Sequence, residues 1–217
     1  MQVILVRHGQ TDWNQEGIFR GRIDVKLNAS GIEEAKIIGK KLSRVDPEAI
    51  YASPLSRALE TARYIASFHD TQVKVFDEFI DIDFGAWQGL SREEAKKRYL
   101  EIFAKWEKSP ERVRIPGAET LAGVKKRVLK GLDLALAEHH DGKVVIVSHG
   151  LINKVLLCAV LGLTNSHFWK IKQDNGAINL FTYSAGGTKL ILLNDTTHLR
   201  TIDSIVESMK APENPLG

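Results

Sequence analysis

The sequence contains one cysteine, two methionines and six prolines in 217 residues. Cys158 has no partner for an intramolecular disulfide and sits in the apolar run 155–161, where cysteine acts as a small hydrophobe. A reducing compartment, and so a cytoplasmic protein, is the expectation. The start of the chain has no basic leader, and no run approaches the roughly 18 apolar residues of a membrane span, so no membrane partner is expected. Charge of one sign is also scarce: 30 Lys and Arg against 27 Asp and Glu leave a net charge of +3. That surplus is too small and dispersed to argue for nucleic acid. What remains is 43% hydrophobic and 26% charged residues. This is an ordinary globular balance, able to bury a core without disulfides, and it excludes collagen, coiled coil and disorder.

Four short apolar runs read as strands, at residues 3–6, 49–52, 73–76 and 144–147. Helical periodicity covers 30–42, with Ser30 as its expected N-cap, and then 56–68, 91–106 and 121–139. Alternation of strand and helix predicts an α/β fold, a three-layer α/β/α sandwich whose central sheet is mainly parallel. Residues 177–183 and 189–193 flank a Gly-rich turn and predict a hairpin that gives the sheet an antiparallel edge. Residues 1–210 are expected to form one domain, with 91–118 as a helical cap over the site and 211–217 as a flexible tail.

In open α/β sheets, ligands bind beyond the carboxyl ends of the strands, so the residues following each strand form one set. The first strand runs into Arg7-His8-Gly9-Gln10-Thr11, the fourth into Ser148-His149-Gly150, and the second into Ser53-Pro54-Leu55-Ser56-Arg57. Two imidazoles and two guanidiniums therefore converge on one edge. Arginine presents a planar fork that matches phosphate, and neighbouring guanidiniums disfavour imidazolium, leaving a histidine nitrogen free to attack phosphorus. Gly9 and Gly150 are expected to allow the close backbone approach of a phosphate. No P-loop, Rossmann fingerprint, Cys pair or His-Glu-x-x-His motif is present, so neither a nucleotide cofactor nor a metal is expected.

These residues resemble a known family. The segment 5–14, Leu-Val-Arg-His-Gly-Gln-Thr-Asp-Trp-Asn, is similar to the Arg-His-Gly signature of the histidine phosphatase superfamily, in the branch holding cofactor-dependent phosphoglycerate mutases and small-molecule phosphatases. Segments 24–31, 53–62, 84–89 and 147–150 resemble further family blocks in the family order. The resemblance implies a phosphoglycerate mutase-like fold, with His8 as the nucleophile and Arg7, Arg57 and His149 around the phosphoryl oxygens. It also implies Asp81 as the acid and base, where many relatives carry Glu. Fixed positive charge supplies most of the stabilisation in phosphoryl transfer, so no cofactor is needed.

Thr11 and Asn14 resemble family positions near the phosphate and are equally suited to capping the turn after the first strand. Arg20-Gly21 stands where phosphatase relatives often carry Gln-Gly, and Arg20 is either a cation for a second substrate anion or a solvated side chain. Trp13, Phe19, Trp87 and Trp106 are either pocket walls or core. The run 117–120 resembles a loop near the family pocket and also reads as a capped helix start. The basic clusters at 40–41, 96–98 and 125–127 read as solvated helix faces.

The leading expectation is thus a metal-independent phosphomonoesterase acting on a small phosphorylated metabolite. The alternatives are a phosphoglycerate mutase-type transferase and a non-catalytic phosphate-binding protein. The block at 81–85 and the modest middle segment favour hydrolysis over the mutase. Competent side chains at Arg7, His8, Arg57, Asp81 and His149 count against the binding protein. Sugar phosphates, phosphoglycerate-like acids, phosphoserine and the nucleotide-loop phosphate of cobalamin synthesis all remain open as substrates. The family resemblance and an exposed sheet edge are consistent with a homodimer.

Overall fold

A computed structural model describes residues 1–139, 141–184 and 186–200; the tail expected at 211–217 lies outside them. The first strand, β1 (Gln2–Arg7), is apolar at successive positions because both of its faces are buried. Val3 and Leu5 enter one core layer and Ile4 and Val6 the other, as the two-residue period of a strand requires. A four-residue helix, α1 (Asp12–Gln15), follows, and then α2 (Ala29–Leu42). The N-cap of α2 is Asn28, whose side chain accepts from the Gly31 N–H at 2.9 Å, so Ser30 lies inside the helix and not at its start.

β2 (Ala49–Ala52), α3 (Ser56–Ala66) and β3 (Val73–Val75) complete the first half, with α3 and β3 slightly shorter than their sequence patterns. The segment expected as one helix over 91–106 is two: α4 (Arg92–Arg98) and α5 (Leu100–Lys108). They meet at Tyr99, whose φ of −132° and ψ of 46° are not helical. Next come α6 (Leu121–Ala137), β4 (Lys143–Ser148) and α7 (Gly150–Val160). The apolar run 155–161 thus belongs mostly to a helix that its own uniformity concealed. β5 (Ile178–Ser184) and β6 (Gly187–Asp195) form the hairpin.

The strands form one six-stranded sheet in the order β3-β2-β4-β1-β5-β6. β1, β2, β3 and β4 pair in parallel, while β5 and β6 run antiparallel at one edge. Helices α2 and α3 cover one face, through Ile38, Leu42, Ala58, Ala62 and Ile65. Helices α6 and α7 cover the other, through Val124, Val128, Leu132, Ile152 and Val155. This is the expected three-layer arrangement. Among the described residues no helix is long and apolar enough to cross a membrane.

The chain leaves β1 toward one face and β4 toward the other. Adjacent parallel strands with diverging connections open a crevice at their carboxyl ends.

Candidate active site

The register pairs Arg7 with Ser148, so the next residue on each strand, His8 and His149, stand side by side. The His8 N–H donates to the Ser148 carbonyl at 3.0 Å, and the two rings lie 5.2 Å apart, edge to face. His8 Nδ1 is 2.6 Å from the Gly9 carbonyl. A carbonyl only accepts, so Nδ1 carries the proton and Nε2 the lone pair. Nε2 is buried with no hydrogen-bond partner among the described residues.

His149 Nε2 lies 2.7 Å from the Ser53 hydroxyl, and its Nδ1 lies 3.6 Å from Asp81 Oδ2. Arg57, in the first turn of α3, donates to the Ile23 carbonyl at 3.0 Å, the Gly21 carbonyl at 2.9 Å and Asp81 Oδ2 at 3.0 Å. Gly21 makes that approach at a φ of +53°, where an added Cβ would run into Gln88 and the Ile82 carbonyl. Arg7 donates through Nη1 to the Gln173 carbonyl. The Nε groups of Arg7, Arg20 and Arg57 and Nδ1 of His149 have no hydrogen-bond partner among the described residues. Three guanidinium N–H groups and His149 Nδ1 are thus left without a hydrogen-bond partner in the surroundings of the His8 lone pair, a donor set suited to anionic oxygens.

Burial first, and then the guanidiniums of Arg57, Arg7 and Arg20, hold the His8 imidazole well below its ordinary value. Burial together with Arg57, His8 and Arg20 does the same to His149. Both are neutral at pH 7. Burial, with Arg7 beside it, pushes Arg20 down to about 9, where it is still protonated.

Above this group opens a cleft of about 500 Å³. Its lining includes Arg7, Asn14, Arg20, Gly21 and Asp81, while His8, Arg57 and His149 lie deeper and are 0–1% exposed. Thr11 is placed otherwise. It is fully buried as the N-cap of α1, and its N–H and hydroxyl both donate to Asn14 Oδ1 at 3.0 and 2.9 Å. The same oxygen accepts from Asn175 Nδ2 at 3.0 Å, which leaves Asn14 Nδ2 as its donor end. Trp13, Phe19 and Trp106 line the cleft, whereas Trp87 is core.

The two glycines serve different contacts from those expected. A Cβ on Gly9 would collide with the Gly31 carbonyl of α2, and one on Gly150 would sit 3.1 Å from the Arg7 guanidinium carbon. They make room for the protein's own groups. Arg127 departs from the solvated face expected for the cluster at 125–127. Its guanidinium donates to the carbonyls of Glu78, Ile80 and Asp81 at 2.8, 2.7 and 3.2 Å and pairs with both oxygens of Glu119 at 2.8 and 2.9 Å. It therefore pins the loop that carries Asp81. Glu119 precedes Thr120, which caps α6 as its sequence context suggested.

Sequence reasoning missed one wall of the cleft, made of Lys154 on α7 with Phe168, Trp169, Gln173, Asp174 and Asn175. Lys154 had a signal: it is a charge inside an otherwise apolar stretch. Phe168 and Trp169 lie in a short 3-10 helix and Gln173, Asp174 and Asn175 in irregular chain, with no long periodicity to read. Among the described residues, no group of three or more His, Cys, Asp and Glu is placed to hold a metal ion.

Comparison with known proteins gives this geometry a family. A model of the histidine phosphatase superfamily (branch 1) matches residues 3–196. Phosphoserine phosphatase 1 of Hydrogenobacter thermophilus is 36% identical over 211 residues, covering 97% of this chain and 99% of that one. Among solved structures, YhfR of Bacillus stearothermophilus superposes with a TM-score of 0.87 at 26% identity, covering 92% of this chain and 99% of that one. A phosphoserine phosphatase of Entamoeba histolytica, solved with phosphoserine, gives 0.79 at 29% identity with the same coverage. The chain belongs to the histidine phosphatase superfamily, branch 1.

Proposed function

We propose that the chain hydrolyses a small phosphomonoester in two displacements through a phosphohistidine on His8, with O-phosphoserine as the first substrate to test. The observation that carries this reading is the state of His8. Its Nδ1–H is committed to the Gly9 carbonyl, its Nε2 has no hydrogen-bond partner among the described residues, and burial beside guanidiniums keeps the ring neutral. That is a preoriented lone pair at the focus of a cationic cluster.

In the first step, the Nε2 lone pair attacks phosphorus, the P–O ester bond breaks, and the departing alcohol oxygen takes a proton from Asp81. In the second, the Asp81 carboxylate takes a proton from water as the water oxygen attacks phosphorus. The N–P bond breaks, its electron pair returns to Nε2, and inorganic phosphate leaves. Arg7, Arg57 and His149 donate to the equatorial oxygens, where charge is spread in a loose transition state. Asp81 is favoured over its neighbours because it alone among the acids of this segment lines the cleft. Glu78 pairs with Lys130 at 2.8 Å, and Asp83 accepts from the Gly85 N–H at 2.8 Å. The phosphoserine suggestion is supported by the names of the relatives.

The test is an acid-quench experiment in excess EDTA with radiolabelled O-phosphoserine and with p-nitrophenyl phosphate. Wild type is expected to turn over and to carry an acid-labile, alkali-stable phosphoryl label. His8→Ala is expected to lose both while keeping its circular dichroism spectrum. Persistent turnover or labelling in His8→Ala would overturn the assignment.

A further inference from the structure

The wall that sequence reasoning missed carries a cation that the phosphoryl chemistry does not use. Lys154 is only 7% exposed, yet it lines the cleft. Its ammonium stands 5.2 Å from the ring centre of Phe168 and 4.9 Å from that of Trp169, so aromatic faces cover part of it. Among the described residues no carboxylate lies within 4.0 Å of it. The acid in the same wall, Asp174, is already engaged, with Asn194 Nδ2 at 2.9 Å, Lys172 at 3.4 Å and Arg200 at 3.7 Å. Asp174 acts on Lys154 only from beyond ion-pair distance, and a buried ammonium without a close partner is costly unless it has a task.

Its position defines the task. Lys154 lies four residues beyond Gly150, on the same face of α7, and Gly150 packs directly on the Arg7 guanidinium. Four helical residues rise about 6 Å, and helical side chains lean back toward the N-terminus, so the ammonium overhangs the turn that contacts Arg7. Arg20 lines the same cleft, and its Nε has no hydrogen-bond partner among the described residues. Arg92, also in the lining, is engaged with Glu107 at 3.1 Å. Two cations are therefore left over beside the phosphoryl-binding group. The aromatic surroundings of Lys154 suit a singly charged partner better than a dianion, which is harder to desolvate.

We propose that Lys154, with Arg20, forms a second anion subsite that takes the carboxylate of a short phosphorylated hydroxy or amino acid and so sets the substrate class. This rests on the reading of the site as a phosphatase. A group built to hold a substrate charge discriminates strongly against an analogue lacking it.

O-phosphoserine and O-phosphoethanolamine differ only by that carboxylate, so the readout is the ratio of their kcat/KM values, with p-nitrophenyl phosphate as a third ester. Wild type is expected to favour phosphoserine by about 10- to 100-fold, the range of a hydrogen bond to a charged group. Lys154→Met should bring the ratio toward one, Arg20→Met should lower it, and Lys154→Arg, which keeps the charge, should retain most of it. Hydrolysis of p-nitrophenyl phosphate with no preference in wild type, or an unchanged ratio in folded Lys154→Met, overturns the subsite and leaves the phosphatase reading standing. Absence of turnover and of phosphoenzyme with every ester overturns both.

Discussion

Replacing Arg127 with methionine is expected to cost both stability and proton transfer, because one guanidinium holds the Asp81 loop from behind. Methionine fills most of the volume and supplies no donor. The carbonyls of Glu78, Ile80 and Asp81 then lose a hydrogen bond, and the Glu119 carboxylate loses its bidentate partner. Arg22, 3.6 Å from Glu119 and largely exposed, is a weak substitute. An unsatisfied buried polar group costs about 1–3 kcal/mol, and the Arg127 side chain is 18% exposed, so water relieves part of this. A loss of about 2–4 kcal/mol in unfolding free energy is expected, measured by urea denaturation followed by circular dichroism.

The effect on catalysis separates positioning from mere support. Displacement of a proton donor by about 1 Å costs on the order of 100-fold in rate. That loss falls on alkyl esters, whose alkoxide needs a proton as it leaves, and much less on p-nitrophenyl phosphate, whose phenolate does not. Arg127→Met should therefore lower kcat on phosphoserine by about 100-fold and on the aryl ester by less than about 10-fold. Arg127→Lys, with one ammonium in place of a fork, should fall between. An unchanged urea midpoint, or equal losses on the two esters in a folded variant, would refute the reasoning.

Acid should destabilise the protein through its two buried histidines. Both are held below their ordinary value, so below about pH 6.5 the unfolded chain binds protons that the folded one does not, and stability falls with pH. The slope approaches about 1.4 kcal/mol per pH unit for each histidine, and His149→Asn should remove about half of it; a urea midpoint flat from pH 7 to 5 would refute this. Gly9→Ala forces a methyl group into the Gly31 backbone, where neither strand end nor helix start can yield, and should cost at least about 2 kcal/mol in urea titrations. Any preference for phosphoserine that depends on Lys154 should fade above pH 8. Burial first, and then Arg7, lowers that lysine to about 8, against opposing effects of Asp174 and Cys158 and with Lys172 adding to the lowering. A preference constant from pH 7 to 9.5 would count against the role of the ammonium.

How much of this was legible in the sequence follows from where contrast exists along the chain. Strands buried on both faces announce themselves as apolar runs, and the residues after them can be read off, which is why Arg7, His8, Arg57 and His149 were found together. Their adjacency in space comes from the β1–β4 pairing, which no local pattern encodes. α7 was invisible as a helix because Ile152, Val155, Leu156, Leu157 and Cys158 are all buried, so the 3.6-residue contrast vanishes, and its N-cap is His149, not a usual capping residue. The α4–α5 break was read through because Ala95, Tyr99, Phe103 and Trp106 keep a helical spacing across it.

Arg127 is the instructive case, because its signal was present and outweighed. The buried stripe of α6 runs through Leu121, Val124, Val128, Gly131, Leu132 and Ala135. Arg127 lies three residues after Val124 and four before Gly131, and Lys125 lies four after Leu121 and three before Val128, so the two border that stripe on opposite sides and only Lys126 turns away from it. Read as composition, the three residues are one basic cluster; read as helix angle, two of them border the interior, and Arg127 is the one that finds acceptors there. The carbonyls at 78–81 are those acceptors, and they belong to the loop that holds Asp81. Angle along a helix, more than charge along a sequence, picks out the cations that border the interior, and the carbonyls that face Arg127 make it the one that organises the site.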